Sequence, residues 1–74
     1  MTTLRSLRRS RLWSQRELAR MAGVSHITIV DLEHGRQRPE LRTIRKLSEA
    51  LGVRATEVRE FRAALGLPTE EEAR

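Results

Sequence analysis

Residues 14–35 read SQRELARMAGVSHITIVDLEHG, and this stretch decides the fold. Ser14 and Glu17 stand at capping-box spacing: the serine hydroxyl accepts from the Glu17 amide, and the Glu17 carboxylate reaches back to the Ser14 amide. A helix starting there carries Leu18, Ala19 and Ala22 on one face. Gly23 ends it, because glycine adopts the left-handed conformation of a tight C-terminal cap at little cost. Only Val24 separates Gly23 from Ser25, the next N-cap candidate. A second helix from about His26 to His34 then turns Ile29, Leu32 and Glu33 inward and stops at Gly35. Two helices crossing at about 100–120° through so short a turn must approach closely. Ala19 supplies the small contact point, Gly23 the turn, and Ile29 and Leu32 pin the second helix across the first.

Working outward, the chain reads as helices throughout, since it lacks sustained period-two alternation. Thr3 to Arg11 has Leu4 and Leu7 one turn apart. Gly35-Arg36-Gln37-Arg38-Pro39 is a loop by its glycine and proline. Leu41, Ile44, Leu47 and Leu51 form a helical stripe capped by Gly52, and Val58, Phe61 and Leu65 form another before Gly66 and Pro68. The expected fold class is all-α, with helices over about 3–11, 15–22, 26–34, 41–51 and 55–65. One domain is expected over 1–66, followed by a short, flexible, acidic tail over 67–74.

Seventy-four residues leave no room for two cores. No apolar run approaches the ~20 residues of a membrane span. The chain has no cysteine, which removes disulfides and thiolate chemistry. His26 and His34, with no clustered inward carboxylates, make neither a metal site nor an acid–base pair. No enzymatic activity, cofactor, metal or small-molecule ligand is expected. Fifteen basic residues against ten acidic ones give +5. Residues 1–38 hold eight bases against Glu17, Asp31 and Glu33, a net of +5, whereas residues 39–74 hold seven of each sign. The whole excess lies in the first half, where it suits one polyanion-facing surface. The acid-free Met1–Arg16 stretch also reads like a mitochondrial targeting peptide, but its removal would delete a helix that the core needs.

At this point the chain resembles the Cro/repressor-type (XRE-like) helix-turn-helix domains. The resemblance covers about Leu4 to Val58. It rests on Leu7-Arg8, Ser14 to Ala19, Ala22-Gly23-Val24-Ser25, Thr28-Ile29, Leu32 to Gly35, Pro39, Thr43-Ile44, Leu47, and Ala50-Leu51-Gly52-Val53. It implies a five-helix, lambda-repressor-like bundle that binds operator DNA, usually as a two-fold dimer. It also implies that Arg8 pairs with Glu33, which would relieve the cost of an inward carboxylate.

Carried over residue by residue, the resemblance makes Ser14 and Gln15 a phosphate clamp at a helix start, where amides and helix dipole favour an anion. Ser25 and Thr28 look like further backbone contacts, although both serines are caps with or without DNA. His26, Ile27, Val30 and Asp31 are the base-reading set. His26 suits guanine, Asp31 suits the cytosine amino group, and Ile27 or Val30 suits a thymine methyl. Asp31 equally suits a salt bridge to a neighbouring arginine or a role in repelling wrong sequences. Arg36, Arg38 and Arg42 are expected to grip the DNA backbone.

Phe61, Leu65 and Leu67 lie beyond the family's usual end and are the candidate homodimer surface. Leu12 stands where the family often has glycine, so that turn is expected to be reached differently. Glu40 replaces a small N-cap, and Arg54 stands at the N-cap of the fifth helix. The overall expectation is a cytoplasmic regulator, from a bacterium or phage, that binds double-stranded DNA and represses transcription. The alternative is an antitoxin or bridging adaptor on the same scaffold.

Overall fold

A computed structural model describes residues 2–69. Five α-helices follow one another: α1 (Leu4–Ser10), α2 (Gln15–Ala22), α3 (His26–Glu33), α4 (Leu41–Leu51) and α5 (Arg59–Ala64), with a single 3-10 turn, Ala55–Glu57, before the last. Among the described residues there is no strand, and no helix is long and apolar enough to cross a membrane.

Local chemistry sets the ends of the first three helices. Thr3 caps α1, its hydroxyl accepting from the Ser6 amide at 3.1 Å. The Ser14 box is complete: Ser14 N donates to Glu17 Oε1 (2.9 Å) and Glu17 N donates to Ser14 Oγ (3.0 Å). Gly23 takes φ +71°, which lets the Val24 amide reach back to the Ala19 carbonyl at 3.0 Å. Ser25 caps α3 by accepting from the Thr28 amide at 3.0 Å.

The core contains Leu4, Leu18, Ala19, Ala22, Ile29 and Leu32 from the first three helices. Ile44, Leu47 and Leu51 from α4 join them, with Val58 and Phe61. α2 packs against both α3 and α4, so the unit read from residues 14–35 rests on a third helix behind it. Burying a large aliphatic side chain contributes about 1.5–3 kcal/mol.

Five expectations are corrected. The fifth segment is not one helix over 55–65. Val58 is extended (φ −105°, ψ 123°) and forms a parallel β-bridge with Thr2. Arg59 N donates to Thr2 O at 2.8 Å, Thr2 N donates to Glu57 O at 3.3 Å, and the Glu60 carboxylate accepts from the Leu4 amide at 2.9 Å. The start of the chain needs partners for its amides and carbonyls, and this segment gives up one helical residue to supply them.

Phe61 is fully buried in the core and is no dimer surface. Leu41 is the converse: the α4 stripe places it inward, and it is 66% exposed. The turn after α1 is not reached differently, because Leu12 adopts the left-handed conformation itself (φ +59°). Trp13 N then bonds Arg8 O at 3.2 Å, the same closure that Gly23 gives α2. Arg11 secures this turn by donating to the Leu51 carbonyl at 2.6 Å and lying over the Trp13 ring.

Packing also runs past the expected boundary at residue 66. Arg62 Nε donates to the Pro68 carbonyl at 2.7 Å, and Thr69 is buried. The remainder of the expected tail, residues 70–74, lies outside the described residues.

Candidate nucleic-acid interface

The backs of α2 and α3 are fixed in the core, and their fronts are not. On α3, Ile29 and Leu32 are buried while Ile27 is 64% exposed, with His26, Thr28, Val30 and Asp31 half-buried around it. An isoleucine so exposed on a helix whose Ile29 and Leu32 already serve the core is open for a contact from outside the chain. Asp31 Oδ1 lies 3.6 Å from Arg36 Nη1, a salt bridge to a neighbouring arginine. Arg36, Arg38 and Arg42 are exposed along the loop and the start of α4.

Behind this surface sits a polar knot joining three helices. The Glu33 side chain, at the end of α3, is 0% exposed. Arg8 of α1 grips it with a two-pronged fork, Nε to Oε2 at 2.6 Å and Nη2 to Oε1 at 3.0 Å. The remaining Arg8 nitrogen, Nη1, donates to the Trp13 carbonyl at 2.8 Å. Arg5 Nε and Gln15 Nε2 donate to Glu33 Oε1 at 3.3 and 3.1 Å. Burial by itself would raise the Glu33 pKa. The hydrogen bonds from Arg8 and Gln15, the Arg8 charge and the Arg5 bond together hold it below the usual carboxylate range. In return the Glu33 bond raises the Arg8 pKa. A buried carboxylate is tolerable only with such compensation.

The Arg8–Glu33 pair thus stands as the resemblance implied, with two partners that the sequence reading missed. Arg5 had a visible signal, since it precedes Arg8 by three residues and shares its face of α1. Gln15 had none, because its approach to Glu33 depends on how α2 and α3 cross. One Gln15 amide hydrogen is committed to Glu33, and the group retains a second hydrogen and its oxygen. The Ser14 hydroxyl serves the cap, and the Ser25 and Thr28 hydroxyls share a 2.8 Å hydrogen bond. At the far end of the chain, Leu65 is partly exposed and Leu67 half-buried, separated in environment from the buried Phe61.

Two short helices, crossed through a one-glycine turn and held from behind so that the second presents an open face, define a helix-turn-helix protein. Compared with known families, residues 4–58 match the XRE-type helix-turn-helix family, about three-quarters of the chain, and the chain belongs to that family. The family is one of DNA-binding domains, and enzymatic activity is not typical of it. Comparison with curated proteins and with solved structures gives no match.

Proposed function

We propose that this protein is a sequence-specific transcriptional repressor that lays α3 in the major groove of double-stranded DNA. It binds as a two-fold dimer, in the cytoplasm of a bacterium or of a phage-infected cell. The observation that carries this reading is the contrast within α3 itself: Ile29, Leu32 and Glu33 are locked behind it while Ile27 stands open to solvent. A B-form major groove admits a helix of this width.

In this reading His26, Ile27, Val30 and Asp31 meet base edges. Ser14, Gln15, Ser25 and Thr28 hold phosphates beside the groove, and Arg36, Arg38 and Arg42 hold the backbone beyond it. Glu33 then acts as a positioning residue, since its bond to Gln15 sets which way that amide points. The charge excess of residues 1–38 steers the approach and makes affinity fall steeply with salt. Repression would follow from occupying the operator and blocking the polymerase there.

The test is selection of bound sequences from random duplexes, followed by titration. Half-sites about one helical turn apart are expected. Gln15→Ala should weaken binding to all sequences about tenfold, the loss of one hydrogen bond to a charged acceptor. The double change His26→Ala, Asp31→Ala should relax preference at particular bases, each worth about 1–3 kcal/mol. A double variant that selects the same sequences as wild type overturns the base-reading assignment. Weak, sequence-independent DNA binding alongside a tight protein complex would replace the repressor with an adaptor.

A further inference from the structure

On α4 one helical face has no partner within the chain. Leu41, Arg45, Ser48 and Gly52 follow at intervals of four, three and four residues, which places them in one stripe. That stripe floors an open groove of about 720 Å³, walled by Val53, Ala55 and Leu65. Two of its apolar residues are exposed, Leu41 at 66% and Leu65 at 38%. No residue of α2 or α3 lines it, so an occupant would not compete with the candidate DNA surface.

The charges around it say what the occupant is. Arg45 and Arg54 are matched by Glu49 and Glu57, a balanced rim on a chain that carries +5 overall. Such a rim has no net attraction for phosphates. It is instead complementary to itself. Within the chain no ion pair joins Arg45 to Glu49 among the described residues, and an arginine four residues before a glutamate is the weaker order on a helix.

We infer that the α4 groove is the homodimer interface, occupied by the α4 of a second copy running antiparallel across a two-fold axis at the level of Leu47. A two-fold contact must match a patch to itself, residue i meeting j and j meeting i. An axis at Leu47 pairs Arg45 with Glu49 of the second copy, twice over. It sets Leu41 against Val53 of the second copy at each end. Leu65 closes the wall of each groove. Leu41, exposed in the monomer, thereby gains an apolar partner at each end of the contact, flanking the charge pairs near the axis. The inference deepens the dimeric reading above by naming its surface.

The test is sedimentation equilibrium of the full chain without DNA, with helical content followed by circular dichroism. Wild type should dimerise, and Leu41→Asp should be monomeric at the same concentration with unchanged helicity, since Leu41 is outside the core. Arg45→Glu and Glu49→Arg should each weaken the dimer at least tenfold by setting like charges face to face. Mixed in equal amounts, these two variants should recover a dimer, because an all-acidic rim then meets an all-basic one. A wild type that stays monomeric, charge variants that dimerise as well as wild type, or a mixture no better than its components overturns the interface. No DNA is present, so failure here leaves the α3 reading to its own titration.

Discussion

The α2–α3 unit and the segment 55–69 are built of similar residues and governed by opposite rules. In the first, each boundary is fixed within a few positions: Ser14 by Glu17, the α2 end by Gly23, and Ser25 by Thr28. In the second, the decisive partners lie at the other end of the chain. Thr2 bridges Val58 and Glu60 holds the Leu4 amide, 56 residues away. Helix ends written in nearby residues survive wherever the helix is placed. Ends set by distant backbone exist only once the whole bundle has closed.

The strongest way to break this contrast is to remove the core residue that ties the distant segment down. Phe61→Ala should cost about 3–5 kcal/mol, enough to leave so small a domain largely unfolded, and urea denaturation followed by circular dichroism measures it. A loss below about 1 kcal/mol would show that residues 55–69 are an appendage. Next comes the knot between the two regions' helices. Glu33→Gln leaves Arg8 buried without its counter-charge and should cost about 3 kcal/mol. Because the folded-state pKa of Glu33 is lowered, its contribution is fully present above the ordinary value of 4.5 and is lost as pH falls through the folded value. Wild-type stability should therefore decline below about pH 4.5. The decline should be shallower in Glu33→Gln, and equal slopes would remove Glu33 as its source.

Two milder changes sharpen the comparison. Ser14→Ala and Glu60→Ala each remove one acceptor from a helix-start amide and should each cost about 1 kcal/mol. Their hydrogen-exchange patterns should differ. The first should speed exchange only around Glu17, whereas the second should expose amides at Leu4 and, through the loosened bridge, at Arg59. Identical local patterns would erase the distinction between near and distant control. The smallest effect, of opposite sign, belongs to Leu12. A non-glycine residue in the left-handed region carries about 1–2 kcal/mol of strain, partly offset by the greater unfolded-state freedom of glycine. Leu12→Gly should raise stability by about 0.5 kcal/mol, a few degrees in Tm, with DNA affinity unchanged.

The legible parts of the molecule share a physical character. The Ser14 box, the Gly23 turn, the Ser25 cap and the inward stripe of Leu18, Ile29 and Leu32 are all patterns of period three or four, read along one helix. So was the pairing of Arg8 with Glu33, once the family pattern supplied the fold. Leu41 misled because its spacing continues the Ile44, Leu47 and Leu51 stripe, while the core ends one turn sooner. Phe61 misled in the other direction: it lies past the family's usual end, and nothing nearby in sequence announces that the Val58 bridge to Thr2 turns this segment back into the core. The left-handed Leu12 was unreadable for a related reason. Propensity argues for glycine there, and only the Arg11 anchor to Leu51 and the Trp13 packing explain why leucine is tolerated.

By itself the amino-acid order determined five helical segments, where four of them start, the one-glycine turn between α2 and α3, and the side of the chain on which positive charge collects. These depend on hydrogen bonds and periodicities a turn or two long, which the chain carries into any environment. Tertiary structure alone decided that Gln15 and Arg5 converge on Glu33, that Val58 leaves the helix to meet Thr2, that Phe61 is interior, and that Leu41 and Leu65 face one groove. Each of those is a meeting of residues far apart in the chain. It becomes favourable only when the closed bundle excludes water and so makes an unpaired polar group costly.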